Sequence, residues 1–571
     1  MRPREHDRNT RNERSPIQRA PTERRDDPAA FSPAEDCRVS QAQGIENTKK
    51  GAVAAGHEAT AAAAAEILRD GGNAFDALIA GLCASCIAEP MLSSLGGGGF
   101  LVARSKDGVL TVYDFFAQTP LEPKAEDLDF YPISGDFGSK TQEFHIGLGS
   151  IACPGVVKGM FAIHQDLCQV PMSRLVEPAI RLAREGLPIN SFQAFIQRVL
   201  TPIVTSTEGS RRLYGSPQVG QREPRLLGEG DIFRAPEMAD LFEQLSREGD
   251  HAFYRGDLAR QLVRDCRRFG GQLSEADLEN YRVHRRRPLE CHFAGAQLAT
   301  NPLPSAGGTL ISFGLQLLED RGARPPSLGT GEHLAGLARA MELTNRARKS
   351  SVQENPEEDQ ALLQLLEPKA IAQYREFMSL HPASDRGTTQ ISVADGEGNL
   401  ASLTVSNGEG SGYVAPGTGV MLNNMLGEED LNPKGFLAWP ANRRLSSMMA
   451  PTLVHRPDGR LLALGSGGSN RLRTAILQVL LNTLRYDLSL EEAVAAPRLH
   501  FERDSLDLEP GYSKKGLDDL RRHYPQATEW EEKNLFFGGV HLVSFDPRDG
   551  SFRGVADGRR GGVARWASNE S

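Results

Sequence analysis

The sequence has no long apolar run, no basic excess and no paired cysteine framework, and each shortage narrows its identity. Its most apolar stretch, "AFDALIAGLCASCIAEP", is interrupted and Ala-rich. It reads as a buried helix and not as a membrane span. The formal net charge of -9 argues against nucleic acid or an anionic membrane as partner, because both attract basic faces. Cysteines number seven, at Cys37, Cys83, Cys86, Cys153, Cys168, Cys266 and Cys291. An odd, scattered set points to a reducing compartment. Cys83 and Cys86 form a C-x-x-C, but they lie one helical turn apart among Ala, Leu and Ile and read as small core residues. Thirteen histidines are dispersed, and "HEAT" at His57 sits on an Ala-rich helix without a second His one turn on. No metal site and no cofactor are expected.

What is present is ordinary for a large globular protein. The 571 residues, 39% hydrophobic and 24% charged, suffice for a sizeable core. The first residues, "MRPREHDRNTRNERSPIQRAPTERRDDPAAFSPAED", are rich in Arg, Asp, Glu and Pro. That composition predicts a disordered tail over 1–45. No apolar segment follows the charged start, so no secretory leader is expected and the location reads as cytoplasmic.

Beyond the tail, "HEATAAAAAEILRDGGNAFDALIAGLCASCIAEP" predicts two helices separated by "DGGN". "SSLGGGGFLVARSKDGVLTVYDFFAQTP" predicts a hairpin turning at "KDG". From Ile151 to about Asn280 the pattern is mostly helical; one helix ends at Gly270 and Gly271, and Ser274 is placed to cap the next. A polar approach and a further helix lead to Arg386. "TTQISVADGEGNLASLTVS" then reads as a hairpin around "DGEGN", and "RLLALGSGGSN" as a strand running into a glycine turn. Strands from both halves with helices outside suggest a layered α/β protein.

Thr388 and Thr389 follow Gly387 directly before a strand. Taken alone, two β-branched residues suit a strand edge. Their setting says more. "DGGNAFDALIAGLCASCIAEPMLSSLGGGGFLV", "FYRGDLA…GGQLSEADLENY", "NPLPSAGG", "GTTQISVADGEGNLASLT", "RLSSMMAPT" and "LGSGGSN" occur in the order seen in γ-glutamyltranspeptidases. From about residue 50 onward the chain resembles that family, part of the N-terminal-nucleophile hydrolases.

The resemblance implies a four-layer αββα sandwich built jointly by two processed chains, 46–387 and 388–571. It implies self-cleavage between Gly387 and Thr388, after which Thr388 is both nucleophile and, through its new α-amino group, base. Gly468 and Ser469 align with the glycine pair whose N–H groups form the oxyanion hole. Ser406 falls where the family has a second Thr that orients the nucleophile. Ser446 and Ser447 match the serine pair that holds the substrate carboxylate. Glu428 aligns with the acidic residue for the substrate ammonium, with Glu429 and Asp430 as close rivals for that role. For any one serine the plain alternative is a hydroxyl that caps a loop.

Departures concentrate in substrate reading. The family's D-x-R-E-x-A-P is "DFFAQTP" here, so Phe116 replaces the arginine that clamps the γ-glutamyl carboxylate, and a phenyl ring cannot form its charge-assisted fork. Gln390 replaces a His. Gly408, with Asn407 beside it, stands where an Asn is usual. The stretch from Asn424 to Leu445 looks shorter than in members with a lid over the site.

The implied activity is transfer or hydrolysis of γ-glutamyl amides through an acyl-threonine, with a small-molecule amide as donor and water or an amine as acceptor. Amidohydrolysis of a non-glutamyl acyl amide is the alternative, since fold alone does not choose. A non-catalytic scaffold is a further alternative. A nucleotide site at "SLGGGGF" or "GSGGSN" is disfavoured, because neither has the Lys-Ser/Thr of a phosphate loop.

Overall fold

Two β-sheets lie face to face, and residues from both sides of the Gly387–Thr388 bond contribute to each. The computed structural model describes residues 50–124, 126–136, 141–216, 224–319, 325–354, 358–376, 388–432, 435–468, 470–502 and 505–568. The tail expected over 1–45, together with Gly387 and Ser469, lies outside the described residues.

The strands of the two sheets are β1 (Gly51–Ala55), β2 (Gly98–Arg104), β3 (Leu110–Phe115), β4 (His284–Arg286), β5 (Leu289–Phe293), β6 (Ala296–Thr300), β7 (Thr389–Asp395), β8 (Leu400–Ser406), β9 (Thr452–His455), β10 (Leu461–Gly467), β11 (Gly539–Asp546), β12 (Ser551–Val555) and β13 (Val563–Ala567). The first sheet runs β4-β3-β2-β8-β7-β1-β13 and the second β5-β6-β9-β10-β11-β12. Among the described residues, neighbouring strands within both sheets pair antiparallel.

Helices α1 (Glu58–Arg69) and α2 (Ala74–Ala88) cover the outer face of the first sheet. Helices α3 (Ala306–Leu318), α4 (Gly331–Glu354) and α5 (Asn470–Leu484) form the layer outside the second. This is the αββα sandwich. Buried small and aliphatic side chains such as Ala52, Val102, Ala394, Leu453, Ala463 and Val543 fill the space between the sheets. A larger apolar cluster packs α3, α4 and α5 onto the second sheet.

Local sequence signals account for the element ends. Asn73 of "DGGN" caps α2 in a capping box with Asp76. Gly270 ends its helix in the left-handed conformation, and Ser274 caps the next with a capping box to Asp277. The C-x-x-C lies within α2, with both thiols buried. His57 differs from expectation. It precedes α1 in an extended conformation and caps it, Nδ1 accepting the Ala59 N–H at 3.0 Å. Burial lowers its pKa to about 4. The glycines of "SLGGGGF" run into β2, where Gly97 and Gly99 leave room for the carbonyls of Ser406 and Thr404. Close approach of strands is their use here, and a phosphate loop is not.

Candidate active site

The candidate site forms where β7, β8, β2 and β3 reach the same end of the first sheet. In the strand registers Thr389 pairs with Val405, Val405 with Gly99, and Gly99 with Phe115. One residue along, Thr388, Ser406, Gly98 and Phe116 stand in a row across four strands. Paired residues share a face, so all four belong to the face toward the second sheet. A Cβ on Gly98 would meet the Phe116 backbone at 3.0 Å.

Thr388 is buried. Its carbonyl lies where a Cβ on Gly467 would sit, 1.9 Å away, so only glycine allows β10 to come this close. Gly468 follows with φ of 114°, a left-handed value that turns the chain out of β10. The Ser406 hydroxyl accepts the Gly408 N–H at 2.9 Å. Gly408, also left-handed at 64°, faces Asn424 Oδ1 and Glu428 Oε1, which a Cβ would meet at 2.2 and 2.4 Å. A larger side chain does not fit there, which explains glycine at this departure.

Glu428 is therefore the buried acid beside the Ser406–Gly408 turn, while Glu429 is exposed. Behind it, Gly427 packs on the His145 carbonyl, and Asn424 Nδ2 donates to the same oxygen at 3.3 Å. His145 stacks on Phe130 at 4.7 Å, and Trp439 meets Phe130 edge-on at 5.9 Å. One side of the site is thus aromatic.

Ser447 is buried and Ser446 half-buried. The Ser447 Oγ accepts the Met449 N–H at 3.0 Å, the loop-capping contact, and retains its own O–H to donate. The "NPLPSAGG" segment cradles this loop. Ser305 Oγ donates to the carbonyls of Ser447 and Met449 at 3.1 and 2.7 Å, and the Ala306 N–H donates to Ser447 O at 2.8 Å.

Phe116 is 1% exposed and stacks on Phe100 at 5.2 Å, in one apolar cluster with Ala152, Met425, Leu445 and Met449. Arg444, two residues before Ser446, does not supply the missing clamp. Its guanidinium donates to the carbonyls of Phe116 and Arg282, lies 3.2 Å from Asp114 Oδ1, and covers the Tyr281 ring.

Gln390 occupies the space between the sheets. It accepts from Thr404 Oγ1 at 2.6 Å and donates to Ser392 and Ser402 Oγ at 3.0 Å. Those serines donate to the carbonyls of His541 and Leu464 in the second sheet. The substitution at this position thus carries a polar link between sheets just behind the candidate nucleophile.

Two residues at the site carried no sequence expectation. Thr389 Oγ1 donates to Glu89 Oε2 at 2.7 Å, and Thr60 Oγ1 to Oε1 at 3.0 Å. Burial, the largest influence, raises the Glu89 pKa to about 7. Arg560 Nη1 donates to Thr388 O at 3.3 Å. A lone acid closing an apolar helix was a signal for Glu89; "DGRRGG" held none for Arg560. Among the described residues no cluster of His, Cys, Asp and Glu is arranged to hold a metal ion, and no helix is long and apolar enough to cross a membrane.

Comparison with known proteins gives the site its context. The glutathione hydrolase proenzyme of Bacillus subtilis (strain 168) is 28% identical over 550 residues, covering 90% of this chain and 91% of that one. The acylase ACY 1 proenzyme of Pseudomonas sp. (strain V22) is also 28% identical, over 537 residues, with 90% and 93% covered. The crystal structure of cephalosporin acylase from Bacillus halodurans shares the fold, with a TM-score of 0.79 at 23% identity over 94% of this chain and 99% of that chain. The gamma-glutamyltranspeptidase family model matches residues 60–567, and with these relatives on either hand the chain belongs to the gamma-glutamyltranspeptidase family of N-terminal-nucleophile enzymes.

Proposed function

We propose that the chain is a precursor that cleaves itself between Gly387 and Thr388 and then transfers or hydrolyses acyl amides through an ester on Thr388. The hydroxyl of Thr388 attacks the Gly387 carbonyl, and water resolves the resulting ester to leave an N-terminal threonine. In turnover the new α-amine takes the hydroxyl proton as Oγ attacks the donor carbonyl, then returns a proton to the leaving amine. The N–H groups of Gly468 and Ser469 stabilise the oxyanion, and Ser406 orients the nucleophile. Ser446 and Ser447 donate to an acyl-group carboxylate, and Glu428 receives an ammonium. The two described relatives named as proenzymes, one a glutathione hydrolase and one an acylase, support this reading. Free cysteines, most of them buried, support a reducing, cytoplasmic setting.

The observation that carries the proposal is the row Thr388–Ser406–Gly98–Phe116, closed at one end by Gly467 and Gly468. γ-Glutamyl amides are the nominal donors. The buried Phe116 ring favours the second reading, because a phenyl ring forms no charge-assisted bonds to a carboxylate and its surroundings are apolar. Simple acyl amides are then better donors than glutathione.

Intact-mass analysis and N-terminal sequencing test the first step; a small chain beginning at any residue but Thr388 overturns it. A panel of matched γ-glutamyl, glutaryl and simple acyl anilides tests the second. Efficient turnover of the γ-glutamyl donor alone would remove the acylase reading.

A further inference from the structure

Arg560 ends a short turn, Gly558–Arg560, ahead of β13, and is 5% exposed. Besides its bond to Thr388 O, its Nη2 lies where a Cβ on Gly468 would approach to 3.0 Å, and its Nη1 where one on Gly467 would approach to 3.3 Å. The guanidinium is wedged between the candidate nucleophile and the candidate oxyanion turn. A cation bonded to a residue's carbonyl is within roughly 7 Å of the same residue's nitrogen, by covalent geometry alone. In the precursor that nitrogen is an amide and carries no charge. After cleavage it is an amine.

We infer that Arg560 is a positioning residue that fixes the Thr388 backbone and, through its charge, keeps the freed Thr388 α-amine unprotonated near neutral pH. This rests on the self-processing reading above. The base must be neutral to accept the hydroxyl proton, and a nearby cation disfavours the ammonium.

The other charged groups act in both directions. Arg471, from the first turn of α5, adds positive charge. Asp557 is committed to Arg498 at 2.6 Å and Arg559 at 3.1 Å. Burial raises Glu89 to about 7, which weakens but does not remove its opposition near neutral pH. Glu409, after β8, and Glu428, against Gly408, also oppose the effect. Desolvation, the largest influence, and Arg471 lower Arg560 itself to about 10, so it remains a cation at neutral pH. Nor is Arg560 a substitute for the missing clamp: Phe116 is three strand spacings from Thr388, about 14 Å.

The test compares the unaltered protein with Arg560→Gln and Arg560→Lys, each checked for two chains by intact mass. The readout is kcat/KM from pH 5 to 9 on a simple acyl p-nitroanilide, with the γ-glutamyl p-nitroanilide alongside. Arg560→Gln is expected to self-cleave, because cleavage uses no free amine. Its acid limb should move up by about one unit or more, costing about tenfold at pH 6 and little at pH 8.5. Arg560→Lys should keep the unaltered limb. An unmoved limb in Arg560→Gln overturns the inference, as does an equal movement in both variants. A KM rise confined to the γ-glutamyl donor would make Arg560 a substrate contact instead. If Arg560→Gln does not fold, reductive methylation of the Thr388 amine in unaltered protein decides. A midpoint below the ordinary value near 7.7 supports the inference, and one at or above it overturns it. Absence of a Thr388 terminus in unaltered protein would instead sink the self-processing reading.

Discussion

Thr389 donates its hydroxyl to the carboxyl of Glu89 at 2.7 Å, joining the residue after the candidate nucleophile to the end of α2. Burial raises this carboxyl from 4.5 to about 7. A raised acid favours the folded state below its unfolded value, and the benefit is lost as pH rises through the folded value. Between pH 4.5 and 7 the contribution of Glu89 therefore falls by about 3 kcal/mol. Glu89→Gln has no such titration. Thermal unfolding of both proteins should show the variant gaining on the unaltered chain by a few degrees from pH 5 to 8; a constant gap would contradict the assigned protonation.

At Gly468 the left-handed φ and the nearby Arg560 leave little room for a side chain. On the proposed oxyanion role, a side chain strained at this φ displaces the Gly468 N–H, and Gly468→Ala should lower kcat by about 10²–10³, the range for loss of one such donor, with KM changed much less. Were KM alone to rise, Gly468 would be lining the pocket instead of meeting the transition state.

Replacing Phe116 by Arg puts a guanidinium on the apolar wall formed with Phe100, Leu445 and Met449. The ratio of kcat/KM for γ-glutamyl over simple acyl anilide should rise, since charge-assisted bonds contribute roughly 1.5–3 kcal/mol each. Unfolding temperature should fall, because the ring now fills a closed space. Steady-state kinetics that left the ratio where it was would show that this position does not read the acyl group.

Gln390 accepts one hydroxyl and donates to two more. Gln390→Leu leaves the Thr404 donor without its acceptor inside the sandwich. Each such buried group costs about 1–3 kcal/mol, so denaturant unfolding should show a loss of at least that size. A neutral result would mean that the serines and Thr404 rearrange among themselves.

What the sequence determined by itself was local. Caps at Asn73 and Ser274, the left-handed Gly270 and the hairpins at "KDG" and "DGEGN" all follow from residues a few positions apart. Such contacts depend on backbone conformation and neighbouring side chains, which a linear reading exposes. The family resemblance also proposed roles for Thr388, Gly468 and the serine pair, and it marked Phe116 as a departure. Tertiary structure alone decided which groups surround them. Glu89 reaches Thr389 across 300 positions and Arg560 reaches Thr388 across 172. Glu428 was separated from Glu429 only by burial against Gly408. The physical reason is that burial and charge proximity depend on how two sheets stack and in what register. Neither is a property of any short stretch of chain.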